Sequence, residues 1–177
     1  MASTLSSFTL ILYIVVLSAL NRPSSSDTAA LVNQICSQAR SYGICHRFFW
    51  NRVNSPTTDI ITLNHIALDE SLSLIESTHK LVQMLKAREH DKNIKNLYSI
   101  CDSSYEILTD QLVSANSAFG AGDFRNMVFY TEQCDRFVSD CERIIGSQVA
   151  RLSERNMKAS VFISISLSAA EILNGDH

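Results

Sequence analysis

The sequence predicts an all-α fold: an up-down four-helix bundle with an N-terminal helical hairpin extension and two disulfides. Three observations predict it. Glycine and proline are scarce, five and two in 177 residues, whereas a β-sandwich or barrel needs many more turn residues. Hydrophobic residues make up 46% of the chain, enough for one domain with a real core. Apolar residues recur at steps of three and four through long stretches without Gly or Pro, the spacing of a buried helix face.

Residues 1–26 read as a signal peptide. Thr9 to Leu20 is an apolar run of twelve, short of the roughly 20 residues that span a bilayer and right for the hydrophobic region of a leader. The polar stretch Asn21 to Ser26 follows, with cleavage expected near Ser25 or Ser26. Removal of this segment takes away Arg22 and no acid. No later apolar run reaches membrane-spanning length, so no membrane association is expected after cleavage. The mature domain is residues 27–177.

Residues 27–52 form the expected hairpin. Leu31, Val32, Ile35 and Ala39 make one stripe, Tyr42-Gly43 marks the turn, and Ile44 to Trp50 carries a second apolar cluster. Phe48, Phe49 and Trp50 are read as core. Pro56 breaks the chain, and Asp59 starts a helix running to about Glu89. Its predicted inner stripe is Ile61, His65, Leu68, Leu72, Ile75, His79 and Val82, widened by Leu63, Ala67, Leu74, Leu81 and Leu85. Arg88 to Asn93 is the connection. The next helix runs from about Ile94 to Phe119, with Leu97, Cys101, Leu108, Leu112, Ala115 and Phe119 inward. Gly120 to Asp123 ends it and caps its successor. That third helix spans roughly Phe124 to Ile145 and stops at Gly146. The last runs from about Ser153 to Leu173, with Val161, Phe162, Ile165, Leu167, Ala169 and Ile172 inside. Short connections make these four antiparallel neighbours.

The five cysteines are Cys36, Cys45, Cys101, Cys134 and Cys141. In an oxidising compartment four of them make two bridges and one is left over. Fifteen pairings are open, and proximity favours Cys36–Cys45. The Asn54-Ser55-Pro56 step is no glycosylation acceptor.

Composition excludes several functions. The net charge is −3 and the charges are interleaved, with no basic stripe for nucleic acid or an anionic membrane. There is no catalytic motif of the GxSxG, HExxH, P-loop or GxGxxG kind, so the chain reads as a non-enzyme with no cofactor and no metal. His65 and His79 lie about 21 Å apart along one helix at about 1.5 Å per residue, too far to share a metal. They read as satisfied histidines at a core edge. Asp135 and Glu142, seven apart on one helix, read as a solvated face.

The cysteine framework is more specific. Cys36-x8-Cys45 and Cys101-x39-Cys141, in this order on helices after a leader, resemble the plant invertase and pectin methylesterase inhibitor family. Tyr105, Leu112, Ala115 and Asp123-Phe124 between the second pair, and the run Ile165 to Leu173, extend the resemblance over Leu31 to Leu173. It implies the bridges Cys36–Cys45 and Cys101–Cys141, worth roughly 3 and 4 kcal/mol in the chain-entropy model. Two positions depart from the family pattern. Gly43 stands near a customary Pro, and Cys134 occupies a customary small residue, which reads as a buried free thiol.

The resemblance implies a secreted inhibitor of the apoplast or cell wall, or of the vacuole, that docks one-to-one on a protein partner. Pectin methylesterase and acid invertase are the two candidate targets. Some invertase inhibitors of the family carry Pro-Lys-Phe after a Gly-Asp step. Gly122-Asp123-Phe124-Arg125 lacks that Pro and Lys, which favours pectin methylesterase. Asp123, Phe124 and Arg125 are then candidate contacts, beside the plainer reading of Asp123 as an N-cap and Phe124 as core. Two rival classes are a secreted helical signalling ligand, distinguished by receptor binding without inhibition, and a small-ligand carrier, distinguished by a hollow bundle.

Overall fold

A computed structural model of the chain describes residues 28–53, 55–145 and 148–175. The expected leader over residues 1–26 and the expected helix stop at Gly146 lie outside these residues. Seven helices are described: α1 (Thr28–Gln38), α2 (Tyr42–Trp50), α3 (Ile60–Arg88), α4 (Lys92–Gly120), α5 (Phe124–Glu132), α6 (Cys134–Ile145) and α7 (Ala150–Gly175). Among the described residues there is no strand. None of the described helices is long and apolar enough to cross a membrane.

The bundle is built from α3, α4, the α5–α6 pair and α7. α3 packs on α4 and on α7, and α5–α6 close the ring between α4 and α7. The starts of α3, α4 and α5 are fixed locally by aspartates whose carboxylates take orphan amide protons. Asp59 accepts from Thr62 N at 2.8 Å. Asp91 accepts from Asn93 N at 2.8 Å and Ile94 N at 3.2 Å. That cap places Lys92 and Asn93 in the first turn of α4, so the α3–α4 connection is Glu89 to Asp91, shorter than predicted.

The expected third helix is two helices. Thr131 Oγ1 donates to Met127 O at 2.8 Å and Cys134 Sγ to Tyr130 O at 3.3 Å. Side chains bonding back to carbonyls one turn earlier compete with the backbone ladder and bend a helix, and the break falls between them at Gln133. The last helix begins at Ala150, three residues earlier than predicted. It is buried on nearly every side, because the bundle flanks it on one side and the hairpin covers the other.

The inner face of α3 differs from the predicted stripe. Leu63, Asn64, Ala67, Leu68, Ser71, Leu74, Ile75, Thr78, Leu81 and Val82 are buried, whereas Ile61 and His65 are exposed. Ser71 and Thr78 go inward because their hydroxyls find partners there. Ser71 and Ser166 pair hydroxyls at 2.8 Å across the α3–α7 seam, and Thr78 donates to Leu74 O at 2.8 Å.

In the hairpin the reversal falls at Ala39 to Ser41, and Tyr42 and Gly43 are the first turn of α2 rather than the turn itself. Gly43 has ordinary negative φ and open space where a Cβ would sit, so nothing there requires glycine. Phe48 and Phe49 are buried, and Phe48 meets Phe162 of α7 edge-on at 5.1 Å. Trp50 is not core: it is 75% exposed. The start of α1 is tied to the next linker, where Thr58 N donates to Thr28 Oγ1 at 2.6 Å.

Candidate functional site

The predicted contact residues occupy the corner between α4 and α5. Asp123 N donates to Ala118 O at 2.9 Å and Gly122 N to Phe119 O at 3.0 Å, the paired bonds that close a helix through a left-handed residue. Gly122 supplies that residue, with φ +73°. The Asp123 carboxylate then caps α5, taking Asn126 N at 3.1 Å and Asn126 Nδ2 at 2.7 Å. Phe124 is half-buried and packs beside Phe119, 6.4 Å between centroids, over Leu68, Met127 and Leu173. Asp123 and Arg125 are both exposed, but Asp123 is engaged as the cap, whereas Arg125 makes no ion pair among the described residues. The corner therefore brings the three together in space but gives them different tasks.

Two disulfides brace the frame. Cys36–Cys45 joins α1 to α2 with 5.4 Å between Cα atoms. Cys101–Cys141 joins the first third of α4 to the later part of α6, at 4.7 Å. Cys134 is a free, buried thiol. Burial, with the nearby Asp135 charge, pushes its pKa up to about 12.

Asp135 and Glu142 are not a solvated face. Asp135 pairs with Arg40 of the hairpin loop and accepts from Ser160 Oγ. The Arg40 guanidinium also donates to Ser160 Oγ at 2.6 Å, and its backbone N–H to Ser164 Oγ at 3.0 Å. Glu142 accepts from Ser153 Oγ at 2.6 Å and Asn156 Nδ2 at 2.7 Å. Glu142 lines an open cleft of about 560 Å³ between α6 and α7, floored by Val138 and Val161, and Asp135 holds Arg40 and Ser160 of its wall. Sequence spacing misses these contacts because their partners come from other helices.

The two histidines of α3 have separate fates. His79 Nε2 lies 2.8 Å from Asp102 Oδ1, and Lys86 Nζ donates to Asp102 Oδ2 at 2.7 Å. Burial alone would raise the Asp102 pKa, but the hydrogen bonds from Lys86 and His79 outweigh it and hold the pKa below the ordinary carboxylate value. His65 is exposed and pairs with Asp69 at 2.9 Å. Among the described residues no three His, Cys, Asp or Glu side chains converge as a metal site.

Exposed apolar side chains on two edges of α4 fall outside its predicted inner stripe, Val113 lying about 120° around the helix from Ile107. Ile100, Ile107 and Val113 are exposed there, as is Phe129 on α5. Ile100 and Ile107 each precede an inward residue, Cys101 or Leu108, by one position, about 100° around the helix. In a pattern count they widen the core stripe; in the fold they face out beside Glu106 and Asp110.

A family model described as plant invertase/pectin methylesterase inhibitor matches residues 30–171. The chain belongs to this family. The family is one of inhibitor proteins, so the chain is an inhibitor acting on a protein partner and not an enzyme. A pectinesterase inhibitor of Actinidia deliciosa is 25% identical over 134 residues, 75% of this chain and 72% of that one. Two crystal structures share the fold. Mutant form A of a pectin methylesterase inhibitor from Arabidopsis has a TM-score of 0.73 at 18% identity, over 80% of this chain and 95% of that one. A pectin methylesterase inhibitor from Arabidopsis thaliana has a TM-score of 0.63 at 19% identity, over 86% and 98%.

Proposed function

We propose that this inhibitor binds pectin methylesterase one-to-one in the plant cell wall and blocks its active-site cleft. The observation that carries the target is the relative from Actinidia deliciosa, named a pectinesterase inhibitor and aligned over 134 residues. The Gly122-Asp123-Phe124-Arg125 step, without Pro or Lys after Asp, supports the same target. The contact surface in this reading is the outer side of α4 and α5: Ile100, Ile107, Val113 and Phe129 as apolar contacts, Arg125 at the corner, and Glu106 and Asp110 between Ile107 and Val113 around α4. Disulfide bracing of α4 against α6 pre-forms that surface and lowers the ordering cost of binding. Secretion through the leader at residues 1–26 and residence in the apoplast belong to the same reading.

The test is a titration of the mature protein against a pectin methylesterase and an acid invertase at apoplastic pH. Stoichiometric loss of esterase activity with invertase untouched is the expected result. Folded protein that affects neither enzyme would sink the inhibitor target, and selective loss of invertase activity would reassign it.

A further inference from the structure

The outer face of α2 carries a feature that the inhibitory surface does not use. Tyr42, His46 and Trp50 succeed one another at one-turn intervals. Their ring centroids are 5.8 and 6.1 Å apart, and the planes lie within 23° and 17° of parallel. Tyr42 is 51% and Trp50 75% exposed. Arg47 is exposed beside them and makes no ion pair among the described residues. An open groove runs along Tyr42, Gly43, His46, Arg47 and Trp50. A row of exposed rings on a stable helix costs solvation and adds nothing to this core, and such patches mark contact surfaces.

The charge pattern says what kind of partner suits it. The chain as a whole is acidic, with net charge −3, yet residues 28–53 contain three arginines and a histidine and no acid. Arg40 and Arg52 are committed to Asp135 and Glu70, which leaves Arg47 as the available cation among the rings. The outer faces of Tyr42 and Trp50 at the ends of this stack, with a guanidinium beside it, fit a polymer of rings that have an apolar C–H face and carry carboxylates. The exposed Tyr42 and Trp50 rings take sugar C–H faces, and the guanidinium takes a carboxylate through two parallel N–H donors. The same division of labour serves proteins that bind single-stranded polyanions. We infer that the α2 strip of Tyr42, His46, Arg47 and Trp50 is a docking site for an anionic uronate polysaccharide. This rests on the reading of the chain as a cell-wall inhibitor, since de-esterified uronate chains are what its target leaves behind. The strip would hold the inhibitor on the polymer where the enzyme works.

Trp50 is the only tryptophan in the chain, so its fluorescence reports on the strip directly. The mature protein, without enzyme, is titrated with a de-esterified oligogalacturonate, with a neutral glucan oligomer of equal length, and with poly-glutamate. A saturable change of Trp50 emission with the uronate alone, weakened by added salt, is expected. Calorimetry on Arg47→Glu, Tyr42→Ala and Trp50→Ala should show binding weaker by at least about tenfold, the scale of one lost stacking or charge contact. All three positions are exposed, and unchanged circular dichroism and unchanged esterase inhibition would show that fold and inhibitory surface are intact. No response to the uronate, equal binding by the variants, or equal response to poly-glutamate overturns the inference. So does sedimentation showing a dimer that Trp50→Ala abolishes, because a second copy would then cover the strip. The binding arm contains no enzyme, so its failure is separate from failure of esterase inhibition.

Discussion

The hydroxyl of Tyr105 on α4 donates to Asn156 Oδ1 on α7 at 2.7 Å, and both side chains are buried. The bond crosses the bundle between helices that do not flank one another. Asn156 in turn donates to Glu142, so one chain of hydrogen bonds links α4, α7 and α6. Tyr105→Phe leaves Asn156 Oδ1 without its donor and should cost about 1–3 kcal/mol, read from urea unfolding with disulfides intact. Burial, with the Glu142 charge, raises the Tyr105 pKa above the ordinary phenol value. The folded state therefore keeps this proton where the unfolded chain loses it, and stability should fall as pH rises above about 10. The Phe variant should lose the Tyr105 part of that slope in alkaline melting curves and keep the part due to Tyr98 and Cys134.

Asp102 gives the opposite sign at the acid end. Its pKa is held below the unfolded value, so its contribution is complete above about pH 4 and is lost as pH falls through the folded pKa. Asp102→Asn should lower the melting temperature near pH 6 and flatten its decline on acidification. A melting-temperature series from pH 2.5 to 6 on both proteins is the check.

The two bridges should differ in worth. Cys101–Cys141 closes a sequence separation of 40 and Cys36–Cys45 one of 9. Loop-closure entropy then puts their removal at about 4 and about 3 kcal/mol. Double alanine variants compared by denaturant midpoint should keep that order.

Cys134 should be silent in the native protein. Its burial and raised pKa leave almost no thiolate at neutral pH. A thiol reagent should find no reactive group in the folded chain and one in the unfolded, non-reduced chain. Non-reducing electrophoresis should show monomer; a predominant dimer would mean that the thiol is not buried.

The α4–α5 corner separates stability from recognition. Asp123→Ala removes the cap of α5 and should cost about 1 kcal/mol. Arg125→Glu should leave stability within about 0.5 kcal/mol and weaken esterase inhibition, measured as the shift in inhibitor concentration at half activity. Equal inhibition by Arg125→Glu would place the contact elsewhere on α4 and α5.

Much of this architecture is written locally. Asp59, Asp91 and Asp123 start helices because their carboxylates reach amides two or three residues ahead, and Gly122 stops one because it accepts positive φ. Such signals act within a single turn, so the long helices of the bundle and the corner between α4 and α5 are legible in the chain alone. The cysteine spacing added the resemblance that names the family.

Other features depend on neighbours, and only the tertiary structure decided them. Periodicity aims an apolar stripe, but the packed partners decide which adjacent residues complete the buried face. Asn64, Ser71 and Thr78 went inward on α3, while Ile61 and His65 stayed out. Phe49 and Trp50 are consecutive, yet α7 covers only the side of α2 that holds Phe48 and Phe49. Asp135 and Glu142 look solvated along their own helix and become ordered only through Arg40, Ser153, Asn156 and Ser160. A helix repeat constrains one element's own face, whereas burial is a property of the surfaces brought against it.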